Sequence, residues 1–163
     1  MEPRPVAESR TQLVQWMGLG HANSAGFIHG GSVMKLCDEA AGVAAVKHSR
    51  CRVVTAGVDR MTFLLPVNVS ELLTLSASVN AVWRTSMEVG VRVEAENPRT
   101  AERRHTSTAY FTMVAVGDDG RPKEIPPLLT ESADERRREA EAQVRRRNRL
   151  KEREEMLVQR ARE

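Results

Sequence analysis

Hydrophobic and polar residues follow two different periods along the chain. Residues 72–82, LLTLSASVNAV, set Leu73, Leu75, Ala77, Val79 and Ala81 against Thr74, Ser76, Ser78 and Asn80. Residues 87–96 repeat the alternation, with Met87, Val89, Val91, Val93 and Ala95 against Glu88, Arg92, Glu94 and Glu96. A period of two predicts strands with one face in the core and the other in water. Residues 11–17, 53–66 and 105–116 read as three more strands, with Leu13 and Trp16 as core contacts of the first and Pro66 closing the second. Asn97-Pro98 and Asp118-Asp119-Gly120 mark turns.

The helical period lies between the first two strands, in FIHGGSVMKLCDEAAGVAAVKH, residues 27–48. Gly30 and Gly31 open a helix whose Val33, Leu36, Cys37, Ala40, Val43 and Ala44 share one broad apolar face. On the opposite side Gly31, Met34, Asp38, Ala41, Gly42 and Ala45 make a narrow stripe that lets another backbone or a ligand approach. Asp38 comes two turns after Gly31, roughly 10 Å along the axis, so free N–H groups and a carboxylate share a side. That pairing suits hydrolysis of a carbonyl, the N–H groups holding the oxyanion and the acid taking a proton or attacking. It equally suits a solvated acid paired with Lys35.

A helix this apolar needs cover nearly all round, so the expected fold class is α+β, an antiparallel sheet curled about one central helix. The small stripe then calls for cover from a second copy, and dimerisation follows. Loop 18–26, GLGHANSAG, delivers the chain to the helix start, and His48 in the last turn is expected to favour the dipole as an imidazolium. Ser132 and Glu135 form a capping box for a charged helix whose apolar residues are too irregular for a heptad. The division is therefore 1–130, a globular domain, and 131–163, a charged C-terminal helical extension that is solvated or docks on a neighbouring subunit.

Composition narrows the classes. The formal charge of the 163 residues is +3, and residues 131–163 alone hold 11 Lys/Arg against 9 Asp/Glu. Interleaved acids and no aromatic among those arginines argue against a nucleic-acid groove. No apolar run is long enough for a membrane span and MEPRPVAESR has no apolar leader, so a cytoplasmic protein is expected. Cys37 and Cys51 show neither metal spacing nor a disulfide framework.

FIHGGSVMKLCDEAAGVAAVKH, VVTAGVDRMTF with its LLP ending, RTSMEVGVRVEAEN, and TSTAYFTMVAV followed by GDDGRPKEIPPL together resemble the hotdog-fold acyl-CoA thioesterases of the cytosolic acyl-CoA hydrolase subgroup. The resemblance implies hydrolysis of acyl-CoA to fatty acid and coenzyme A, no metal or prosthetic group, and a homodimer, often three dimers per assembly. It implies that Asp38 is the catalytic carboxylate, that the Gly31 N–H polarises the thioester carbonyl, and that Thr55 approaches the carboxylate from across the dimer. Asn23 matches a loop position often Asn in the subgroup, and Gly30 belongs to the glycine motif. Arg84, Thr85 and Ser86 match a segment lining the coenzyme A channel, and His29 is expected to pack near it. Phe27 departs from several relatives, which carry Asn or Asp there. The alternatives are an acyl-CoA-binding hotdog module without catalysis, a hotdog dehydratase or hydratase, and an Arg-rich tail that binds nucleic acid.

Overall fold

The computed structural model describes residues 1–162. Five antiparallel strands form the main sheet in the order β2 (Thr11–Trp16), β5 (Leu72–Val82), β6 (Ser86–Glu96), β7 (Arg103–Val116), β3 (Arg52–Val58). A short β4 (Thr62–Phe63) continues β3 along the same edge of β7. A parallel pair of β1 (Arg4–Pro5) and β8 (Leu128–Leu129), separate from that sheet, ties the N-terminus to the segment after β7. The one-turn helix α1 (Val6–Ser9) follows β1, and a turn of 3-10 helix, Leu19–His21, lies in the loop before the long helix α2 (Gly30–Ser49).

The sheet wraps α2 closely enough that the helix touches all five of its long strands. This is the curled antiparallel sheet expected from the pattern, and the hotdog fold that the resemblance implied. Val33, Cys37, Ala40, Ala41, Ala44 and Ala45 are buried against Leu73, Leu75, Met87, Val89, Val91, Val93, Phe111 and Met113. Alanine carries most of that helix face because the curled sheet leaves little room between backbone and backbone. The buried face is therefore rotated from the expected one: Ala41 and Ala45 of the small stripe lie in the core, while Val43 is exposed.

Other expectations are corrected as well. Trp16 points away from the core and is 67% exposed, its indole N–H donating to the Ser70 carbonyl at 3.1 Å. The stretch 53–66 is two strands, broken at residues 59–61. His48 is fully buried, and burial holds its imidazole below the ordinary value, so it is neutral, with Nε2 on the Pro126 carbonyl at 2.9 Å.

The largest correction concerns the outer face of the sheet. Ser78, Asn80 and Glu88 are buried, because α3 (Ala133–Arg160) lies across that end of the face, opened by the Ser132–Glu135 capping box. Helix α3 docks through arginines. Arg145 stacks 3.7 Å from the Tyr110 ring centroid and Arg146 4.3 Å from that of Trp83. Arg145 also grips the fully buried Glu88 with Nη2 to Oε1 at 2.7 Å and Nε to Oε2 at 3.0 Å. Behind this pair, Asn80 donates to Glu88 at 3.1 Å across the face of Gly90, where a Cβ would stand 2.6 Å from the Asn80 amide nitrogen. From Lys151 to Arg160 every residue of α3 is exposed, Met156, Leu157 and Val158 among them.

Candidate active site

The start of α2 is fixed by the loop before it. Asn23 folds that loop by accepting at Oδ1 from the N–H groups of Ala25, 2.9 Å, and Phe27, 3.2 Å. Phe27 and Ile28 then pair with Asn68 and Val67, which brings the chain to His29 in an extended conformation. His29 is the N-cap, and its Nδ1 accepts from the Gly31 N–H at 3.0 Å. The donor expected to meet an oxyanion is thus already held by an imidazole. At Gly31 a Cβ would crowd that ring at 3.2 Å, and at Gly30 it would touch the Phe63 ring at 3.4 Å, so both glycines admit groups that a side chain would exclude.

Two turns further down the same side, the half-buried Asp38 accepts at Oδ1 from the Thr55 hydroxyl at 2.5 Å. The bond is made within one chain, a correction to the resemblance, which brought Thr55 from across a dimer. Thr55 reaches the helix because β3 pairs with β7, Thr55 opposite Met113, and both side chains turn inward. A register shift between Thr55 and Gly57 then bends the strand away. Lys35 makes no ion pair with Asp38 among the described residues. Cys37, next to Asp38, is no rival nucleophile, since burial and then the neighbouring carboxylate push its thiol up to about 12.

Beside the helix start runs a groove of about 370 Å³ lined by Asn23, Phe27, Gly30, Phe63, Leu64 and Pro66, among others. Its apolar wall, residues 63–67, was not singled out in the sequence as part of a site; the LLP ending beside the glycine motif was the available signal. The wall is braced from behind by Arg104, whose guanidinium forks onto Glu71 at 2.6 and 3.0 Å and also donates to the Pro66 carbonyl at 2.9 Å. Burial alone would push the Glu71 carboxyl up, but Arg104 and the Asn68 N–H outweigh it and hold the acid below its ordinary range.

Arg84, Thr85 and Ser86 stand apart from this centre. They form the β5–β6 turn, at the far end of strands that span roughly 30 Å, whereas the helix start lies by residues 67–71. Arg84 is exposed and faces Glu124 at 3.6 Å. Among the described residues no group of three or more His, Cys, Asp or Glu is placed to hold a metal ion. No helix is long and apolar enough to cross a membrane.

A curled sheet around one helix, glycines at its mouth and a carboxylate down its side define the hotdog class of thioester-acting proteins. The thioesterase superfamily model matches residues 25–102. An uncharacterised acyl-CoA thioester hydrolase of Zymomonas mobilis is 37% identical over 136 residues, 80% of this chain and 91% of that protein. The chain belongs to the thioesterase superfamily. The mouse cytosolic acyl coenzyme A thioester hydrolase is 34% identical over 139 residues, 84% of this chain; the match spans only 36% of that longer protein. Among solved structures, an apo hexameric acyl-CoA thioesterase superposes with a TM-score of 0.90 at 38% identity, covering 93% of this chain and 97% of that one. The acyl-CoA hydrolase of Staphylococcus aureus, crystallised with butyryl coenzyme A, coenzyme A and coenzyme A disulfide, gives 0.85 at 26% identity over 98% and 99%. Variants of that enzyme with one Asp, one Asn or one Thr replaced by Ala have also been solved.

Proposed function

We propose that the protein is an acyl-CoA thioesterase, hydrolysing fatty acyl-CoA to the free acid and coenzyme A in the cytoplasm without metal or prosthetic group. The observation that carries this reading is the Thr55–Asp38 hydrogen bond two turns below the mouth of α2. Further support comes from spacing: the replaced Asn, Asp and Thr of the Staphylococcus aureus hydrolase stand 15 and 17 positions apart, the intervals that separate Asn23, Asp38 and Thr55.

Thr55 donates to one carboxylate oxygen and thereby orients Asp38, leaving the other oxygen for the reaction. In the proposed mechanism Asp38 takes a proton from water as the water oxygen attacks the thioester carbonyl, and when the C–S bond breaks that proton passes to the thiolate. In the nucleophilic variant Asp38 itself attacks the carbonyl and expels the thiolate, and water then hydrolyses the acyl–Asp38 anhydride, giving the free acid and a proton for the thiolate. Negative charge developing on the carbonyl oxygen is received by the Gly31 N–H, which requires the exposed His29 ring to rotate off it, a rotamer change within reach of an exposed side chain. Asn23 and Gly30 line the groove that takes the acyl chain against Phe63 and Leu64. Arg84, Thr85 and Ser86 serve coenzyme A contributed to a second protomer, since they lie too far from the helix start of their own. Self-association is supported by the hexameric structural relative and by β3, whose exposed edge carries Val54 and Val58.

The occupied Gly31 N–H favours a second reading, a module that binds acyl-CoA without hydrolysing it. One assay separates the two: thiol release from short, medium and long acyl-CoAs by the wild type and by Asp38→Asn. The thioesterase reading expects turnover by the wild type and a fall in kcat of about 100-fold or more in the variant. Wild-type turnover retained in Asp38→Asn removes Asp38 from the chemistry. Acyl-CoA binding with no thiol released by the wild type assigns the binding module.

A further inference from the structure

Strand β3 carries Thr55 yet has little to hold it. It pairs on one side only, with β7, and the pairing slips at Thr55/Gly57. The chain leaves it at Asp59 and returns as β4, whose Phe63 lies over Gly30. The corner at residues 59–61 thus joins the two segments that give the proposed site Thr55 and Phe63.

That corner is held by α3. Asp59 donates its N–H to the Tyr110 carbonyl at 2.9 Å and accepts at Oδ2 from Arg149 Nη1 at 2.7 Å. The same Arg149 nitrogen stands 3.8 Å from Glu88, which Arg145 already grips. Glu88 lies opposite Thr112, and Thr112 opposite Gly57, on the outer face; the neighbouring row, Met87, Met113 and Thr55, faces α2. The arginine cluster thus sits directly behind Thr55, one sheet thickness away. Arg60 and Glu152 also pair across this corner, at 3.5 Å, but Arg60 is almost fully exposed and the pair contributes little.

We infer that Arg149 is a positioning residue: bridging Asp59 and Glu88, it clamps the β3–β4 corner and so holds Thr55 on Asp38. The kinetic half of this inference rests on the thioesterase reading; the mechanical half does not. The test uses the full chain with Arg149→Gln, the milder Asp59→Asn and the conservative Arg149→Lys.

Hydrogen exchange reads the clamp itself. Arg149→Gln is expected to speed exchange of the amides of residues 53–63 about tenfold, with β5 and β6 unchanged and Arg149→Lys close to wild type. Steady-state hydrolysis of acyl-CoA reads the consequence: kcat falls about tenfold at unchanged KM, and no further when Arg149→Gln is added to Thr55→Val. Asp59→Asn follows Arg149→Gln in both readouts. Unchanged exchange at residues 53–63 overturns the clamp. Faster exchange with kcat losses that multiply in the double variant overturns the link to Thr55. A wild type that releases no thiol, with faster exchange in Arg149→Gln, keeps the clamp and fails the thioesterase reading instead.

Discussion

Replacing Arg145 by Ala removes one half of an ion pair whose other half has no access to water. Glu88 is fully buried, and Arg145 supplies two hydrogen bonds to it within 3.0 Å. Breaking such a pair from one side costs about 3–5 kcal/mol, since a carboxylate is left in a low-dielectric site. Here the lower end applies, because Asn80 still donates at 3.1 Å and Arg149 stands 3.8 Å away. Loss of the stacking on Tyr110, at 3.7 Å, adds about 0.5–1 kcal/mol. The sum, about 4 kcal/mol, lowers the melting temperature by about 8–16 °C at this chain length. Thermal unfolding followed by circular dichroism measures it. A second variant guards the reasoning: Arg145→Met with Glu88→Met removes both charges and is expected to melt within a few degrees of wild type. A drop below about 3 °C in Arg145→Ala, or a double variant that melts no higher than the single one, would refute the account of Glu88 as an uncompensated buried charge.

Two further outcomes follow from buried groups. Gly90→Ala forces a methyl against the Asn80 amide, 2.6 Å away, and is expected to destabilise by about 1–3 kcal/mol; adding Asn80→Ala clears the space, so the two losses combine less than additively in melting experiments. His48 is held below its ordinary value of 6.5 by burial, so the folded state binds its proton less readily than the unfolded one. Its contribution to stability is complete above pH ~6.5 and is lost as pH falls below that, and melting curves from pH 7.5 to 5 should decline more steeply for wild type than for His48→Gln.

The inner face of the fold was legible because apolar alternation in 72–82 and 87–96 identifies the core side whatever lies on the other. The outer side was not. Periodicity assigns Ser78, Asn80 and Glu88 to a face but carries no information about what covers it, and the cover, α3, docks by guanidinium groups on Tyr110, Trp83 and Glu88. Arginines used as packing surface have the same hydropathy as arginines in water, so the helix read as solvated or as docked on a neighbouring subunit rather than on its own sheet. Asp38 could be placed on the side of Gly31 from helical geometry alone. Its bond to Thr55 could not, because that contact depends on β3 pairing with a strand some 60 positions later and on a slip in that pairing. The His29 cap was missed for the opposite reason, being too local: a residue next to a glycine motif read as packing, when its ring nitrogen was the nearest acceptor for an open N–H.

Stability and the proposed chemistry draw on different parts of this chain. The inward rows of β5, β6 and β7 are buried against α2 and fix the core. Asp38, Thr55, Asn23 and Phe63 sit on the half-buried side of the helix, on an edge strand and in loops, where little apolar area is at stake. An edge strand costs positional certainty, and a thioester trapped between a helix mouth and a carboxylate needs that certainty to within a fraction of an ångström. On the proposed reading the conflict is resolved from behind: a charged helix laid over the outer face reaches the corner at Asp59 with Arg149 and leaves the inner side of β3 free for substrate.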